Sequence, residues 1–112
     1  MSLNFTHIKG DTFDAVNFEL KINSVVKDLT GAEIKMQLRK CYSDSAAALS
    51  LSSVGGNGIT IVSPTLGQFS INKQIIDIPV FDYVYDIQIK FANNDVKTYI
   101  AGNFSITPEV TR

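Results

Sequence analysis

The chain has 112 residues, 45% of them hydrophobic and 19% charged, which is enough for one compact domain and too little for two. Ten Lys+Arg against eleven Asp+Glu give a formal charge of −1, so no basic excess is available for a phosphate backbone or an anionic bilayer, and neither nucleic acid nor membrane is an expected partner. One His, one Cys and no Trp supply neither the four ligands of a zinc cage nor a partner for an intrachain disulfide; no metal or other cofactor is expected, and packing alone has to hold the chain.

The start, Met1-Ser2-Leu3-Asn4-Phe5, lacks the basic stretch and apolar run of a signal peptide, and the apolar runs fall far short of the ~20 residues that cross a bilayer. The expectation is a protein made in the cytoplasm and either left there or carried out within something larger. Val 9, Ile 13 and Thr 8 make 30 β-branched residues, and Phe 7 with Tyr 4 adds 11 aromatics, against 7 Ala and 7 Leu. That composition favours pleated surfaces over helices.

Period-two alternation then locates the strands. Phe5 to Ile8 reads as a first short strand before a turn at Lys9-Gly10-Asp11. Val16, Phe18, Leu20 and Ile22 form one apolar face, with Phe13 and Ala15 on the opposite parity, so a bulge or bend is expected near residues 14–16. After Val25-Val26, a turn at Asp28-Leu29-Thr30-Gly31 leads into the most regular stretch, with Ala32, Ile34, Met36 and Leu38 inward and Glu33, Lys35, Gln37 and Arg39 outward. Residues 44–52 read as a short strand, although Asp44 before Ala46-Ala47-Ala48 offers a helical alternative.

Ile59 to Ile61 and Gln68 to Ile71 are strands joined by the turn Ser63 to Gly67. Tyr83, Tyr85, Ile87, Ile89 and Phe91 form the strongest inward face, Asn93-Asn94-Asp95 is a hairpin signal, and the last strand runs from Val96 to about Ile106 with a bend at Gly102. About seven short strands with turns between them predict an all-β fold, an immunoglobulin-like antiparallel β-sandwich spanning residues 1–112. Tyr83 has the place of a tyrosine corner at the start of the penultimate strand.

The chemistry-bearing residues read mostly as structure. Gly55-Gly56-Asn57-Gly58 precedes a strand rather than the helix N-terminus that a phosphate cradle uses, so a flexible turn is expected. Asp77, Asp82 and Asp86 do not share a parity that would converge them for acid-base work, and Asp86 is expected to pair across strands with Arg39 or Lys35. His7 has no ligand-spaced neighbours, Cys41 reads as an ordinary thiol at a strand end, and no nucleophile elbow is present. No catalytic, cofactor or metal residue is therefore assigned, and the protein is expected not to be an enzyme.

The order of the punctuation is more distinctive: Lys9-Gly10-Asp11, Asp28-Leu29-Thr30-Gly31-Ala32, Met36-Gln37-Leu38-Arg39, Gly58-Ile59-Thr60-Ile61, Gly67, Ile78-Pro79, Tyr83-Val84-Tyr85-Asp86-Ile87, Gly102-Asn103-Phe104-Ser105-Ile106 and Val110-Thr111-Arg112. Across nearly the whole chain this resembles a family of small immunoglobulin-like proteins of tailed bacteriophages and prophages, similar to the N-terminal domain of baseplate upper proteins. Phe81 departs from the pattern, standing where such chains often have Gly. The long C-terminal extension of baseplate upper proteins has no counterpart before Arg112, so a receptor-holding role is not carried over.

The resemblance implies a structural or adaptor subunit of a phage tail or baseplate, found in the virion, with other tail or baseplate proteins or further copies of itself as partners and no small-molecule substrate. Candidate contact regions are the first strand (Phe5, His7), residues 44–52 and the hairpin Asn93, Asn94, Asp95, with Tyr42 and Tyr99 as candidate surface contacts. The competing reading is a ligand-recognition module, carbohydrate-binding or adhesin-like, which needs exposed aromatics; exposure of Tyr42, Tyr99 and Phe81 discriminates the two.

Overall fold

A computed structural model describes residues 2–110, so that Met1, Thr111 and Arg112 lie outside it. The strands in chain order are β1 (Phe5–Ile8), β2 (Thr12–Phe13), β3 (Val16–Glu19), β4 (Lys21–Ile22), β5 (Val25–Val26), β6 (Glu33–Arg39), β7 (Leu49–Ser52), β8 (Ile59–Ser63), β9 (Gln68–Ile71), β10 (Gln74–Ile75), β11 (Phe81–Lys90) and β12 (Val96–Thr107). Two single 3-10 turns, Val54–Gly56 and Pro64–Leu66, flank β8.

The core begins with β6 and β11. Alternation sends Tyr83, Tyr85, Ile87 and Ile89 to one side of β11, and the antiparallel register sets Tyr85 opposite Leu38, Ile87 opposite Met36 and Ile89 opposite Ile34. None of these side chains is more than 2% exposed, and each such burial stabilises the fold by roughly 1.5–3 kcal/mol. On the other flank of β11, β12 brings Phe104 opposite Tyr83 and Ile100 opposite Ile87.

The resulting sheet has the order β1-β12-β11-β6-β7, and a second sheet of order β3-β9-β8 faces it. Phe69, Ile71 and Ile59 of the second sheet join Ile34, Met36, Leu38 and Ile87 of the first in one apolar core. This is the expected all-β sandwich. Its long strands number eight rather than about seven, and two-residue ladders β2/β10 and β4/β5 close its ends.

Tyr83 forms the expected corner: its hydroxyl donates to Pro79 O at 2.6 Å, four residues upstream. At residues 14–15 the chain breaks between β2, which pairs with β10, and β3, which pairs with β9. Of residues 44–52 only Leu49–Ser52 form the expected strand; 44–48 are irregular, and no helix forms at Ala46 to Ala48. The hairpin Asn93 to Asp95 closes with Phe91 N–H donating to Asp95 O at 2.8 Å, and Asn94 takes φ 72°.

Three expectations are corrected. The sandwich is not wholly antiparallel, because β1 lies parallel to β12, Phe5 opposite Phe104 and His7 opposite Ile106. Parity fixes which face a strand buries, but it is blind to strand direction. The apolar face from Val16 does not extend to Ile22, which is 38% exposed. After Glu19 the chain leaves β9, Leu20 N–H donates to Gly67 O at 2.8 Å, and Asn23 and Ser24 at φ 52° and 64° turn β4 back onto β5, the two-residue hairpin geometry.

The irregularity of β12 is not at Gly102 but at Tyr99, where the register against Ile87 and Gln88 slips by a residue. Gly102 answers a different need. A Cβ there would fall on the carbonyl oxygen of Leu3, and that close approach lets Leu3 N–H donate to Ala101 O at 3.0 Å and the Tyr85 hydroxyl to Leu3 O at 2.5 Å. Gly67 is constrained likewise, at φ +65° with Lys27 O and Leu20 O where a Cβ would stand.

Tyr83→Phe removes the hydroxyl that donates to Pro79 O, and a loss of about 1 kcal/mol in urea unfolding is expected. Burial pushes the Tyr85 phenol from 10.0 up to about 12. The fold therefore favours its neutral form, a contribution complete below about pH 10 and lost as pH rises to about 12. Stability measured by circular dichroism across that window should fall, and Tyr85→Phe should remove part of the fall, the rest including that of Tyr83, whose pKa burial also raises.

Candidate functional site

The two faces of the sandwich that look away from the core are built from the outward parity of each strand. On β6 and β11 the register sets Gln37 opposite Asp86, Lys35 opposite Gln88 and Arg39 opposite Val84. These side chains, with Tyr42 beyond the end of β6, line a shallow depression of about 280 Å³. The Arg39 guanidinium is fixed in it: Nη1 donates to Asp44 O at 2.9 Å and Nη2 to Gln37 Oε1 at 2.8 Å, while Gln37 Nε2 donates to Ser50 Oγ at 3.4 Å.

The expected pairing of Asp86 with Arg39 or Lys35 does not form. Arg39 is turned toward Asp44 and Gln37, and the ion pairs within reach among the described residues are Lys9–Asp77 at 2.7 Å and Lys21–Glu19 at 3.1 Å. Asp77 thus serves the β1–β2 turn, its hydrogen bond raising the Lys9 pKa above the usual lysine value. Lys21 and Gln68 hold the Glu19 carboxyl below its ordinary range. Asp28 is held low by the Thr30 hydroxyl and backbone N–H that close its turn.

The sequence-derived contact residues fall in three separate places. At the β1 edge, the half-buried Phe5 ring lies against Phe13, Tyr85 and Phe104, centroids 5.2–5.8 Å apart. His7 is buried, its Nε2 donating to Asp11 O at 2.9 Å and its ring edge on Phe13. Both are committed to the interior. Asn93, Asn94 and Asp95 are exposed at one end of β11, and Tyr99 there is half-buried with its ring edge-on to Phe91. Tyr42 is at the other end, about 30 Å along the strands, and 78% exposed. Phe81, 42% exposed, is at that end too, under the Lys40 ammonium at 5.4 Å.

Gly55, Gly56 and Gly58 take φ between 66° and 93° in a turn that leads into β8, so the glycine run serves the chain reversal. Cys41 is exposed, its Sγ 3.4 Å from Ser43 Oγ. No group of three His, Cys, Asp or Glu residues among those described is placed to hold a metal ion.

Sheet edges are the remaining feature. β1 and β7 bound the larger sheet, β3 and β8 the smaller. β1, β7 and β8 contain no charged residue, whereas β3 ends on Glu19. In β7, Ser53 N–H donates back to Ile34 O at 2.9 Å, so alternation turns the N–H of Leu51 and Leu49 toward β6 and those of Ser52 and Ser50 outward. Ser52 N–H is taken by Asn57 O at 2.8 Å; Ser50 N–H faces the free edge.

No protein-family model matches the chain, and no curated protein aligns with it significantly. The depression was missed in the sequence because its two strands are almost fifty residues apart. Their outward parity was readable, but the register that apposes them was not.

Because Asp86 has no cationic partner among the described residues, Asp86→Asn is expected to change stability by less than about 0.5 kcal/mol. A loss of several kcal/mol on urea titration would mean that the carboxylate is held by a buried partner.

Proposed function

We propose that this chain is a non-enzymatic structural or adaptor subunit of a bacteriophage or prophage tail or baseplate, working by association with neighbouring tail proteins or with further copies of itself. Two lines support the reading. The ordered motifs from Lys9-Gly10-Asp11 to Gly102-Asn103-Phe104 resemble the small immunoglobulin-like tail proteins, and the sandwich those motifs imply is the fold found. The observation that carries it is the chemistry of the edges. Natural sheets blunt their edges with charge, yet β1, β7 and β8 are uncharged. Although Ser52 N–H donates to Asn57 O and Asp11 N–H to Ile8 O, outward groups such as Ser50 N–H are left for strand addition in a symmetric assembly. Two of the three, β1 and β7, fall in the regions that the sequence marks for contact.

Size-exclusion chromatography with light scattering, run on the chain alone and mixed with the tail proteins encoded beside it, is the test. Self-association or co-elution is expected, weakened by Ser50→Pro, which removes the outward N–H of β7. A monomer that binds none of these proteins would sink the proposal.

A further inference from the structure

We infer that the depression on the outer face of β6 and β11 is a binding site for a pyranose saccharide, a second recognition function that does not depend on the assembly reading. The argument starts from which polar groups there are already engaged. Arg39, Gln37 and Ser50, all on strands, bond to one another and to Asp44 O in the following segment, forming a hydrogen-bonded floor. The Asp86 carboxylate, the Lys35 ammonium, the Gln88 amide and the Tyr42 hydroxyl have no hydrogen bond or ion pair among the described residues, although all four line the same hollow.

Asp86 and Gln88 are next-but-one neighbours on one face of β11, about 7 Å apart along the strand. Lys35 lies directly across from Gln88, with Cβ atoms about 5 Å away. A carboxylate accepts two hydrogen bonds, an amide both donates and accepts, and an ammonium only donates. Together they match adjacent ring hydroxyls, each of which is at once donor and acceptor.

The apolar half of the match comes from Tyr42. With 78% of its surface exposed at the lip of the hollow, its ring is an unoccupied flat plate of the kind that covers the C–H face of a pyranose, and Val84 adds a second apolar patch beneath. A hollow of about 280 Å³ accommodates one or two sugar rings rather than a long chain. Two cations against one carboxylate in the lining extend the range to uronic acids.

The test is a titration of the full chain, followed by amide nuclear magnetic resonance shifts, with glucose, galactose, N-acetylglucosamine, glucuronate, maltose and lactose. Saturable shifts in the millimolar range are expected for at least one of these, confined to residues 35–42 and 84–88, and stronger binding of glucuronate than of glucose would assign a role to Lys35. Tyr42→Ala and Asp86→Ala, both at exposed positions and checked for an unchanged melting temperature, should weaken binding at least tenfold in one or both variants. Absence of saturable shifts with every probe, shifts centred elsewhere, or binding that survives both substitutions would overturn the site.

Discussion

Strand β11 cannot leave the middle of its sheet without bringing Tyr83, Tyr85, Ile87 and Ile89 into water, and these four are among the most completely enclosed side chains of the protein. Everything around them is arranged by that enclosure. β6 and β12 are held at fixed register because a slip of one residue would turn Leu38, Met36 and Ile34, or Phe104 and Ile100, outward. The smaller sheet is required because a single sheet has no second layer to bury those residues against. Even the tyrosine hydroxyls conform, one reaching Pro79 O and the other Leu3 O, so that no buried phenol lacks an acceptor.

The same enclosure decides where chemistry can occur. With one parity of each central strand given over to the core, the polar side chains of β6 and β11 are pushed to the outer face, where Lys35, Gln37, Arg39, Asp86 and Gln88 gather without any being selected for burial. What the strands leave at the surface is a polar outer face and edges with little charge. The rows of serines on β7 and of Ile, Thr and Val on β8 give those edges little electrostatic defence.

What could be read in advance follows the reach of each signal. Alternation is local and strong, so β6, β11, the tyrosine corner and the hairpin at Asn93 to Asp95 were all legible from a few residues each. Pairing between distant segments was not. Nothing in Phe5 to Ile8 says that it runs parallel to Phe104 to Thr107, and nothing in Asp86 says that its cross-strand neighbour is Gln37 rather than Arg39. Ile22 failed for a subtler reason: its parity was correct, but Asn23 and Ser24, both able to adopt positive φ, end the strand with a hairpin that parity cannot foresee. The candidate site was legible only in its parts, Tyr42 as a surface aromatic and Asp86 as an outward carboxylate.

The junction of Leu3 with Gly102 ties the segment before β1 to the middle of β12. Bonds from Leu3 to Ala101, from Tyr85 to Leu3 and from Asn103 to Asn4 join residues 82 to 99 positions apart in sequence. Residues 3–5 therefore stay unsheltered, as does the Tyr85 hydroxyl, until β11 and β12 are in place. Such long loop closure belongs to slow, cooperative acquisition of structure, so this domain has no half-built form with a sealed interior.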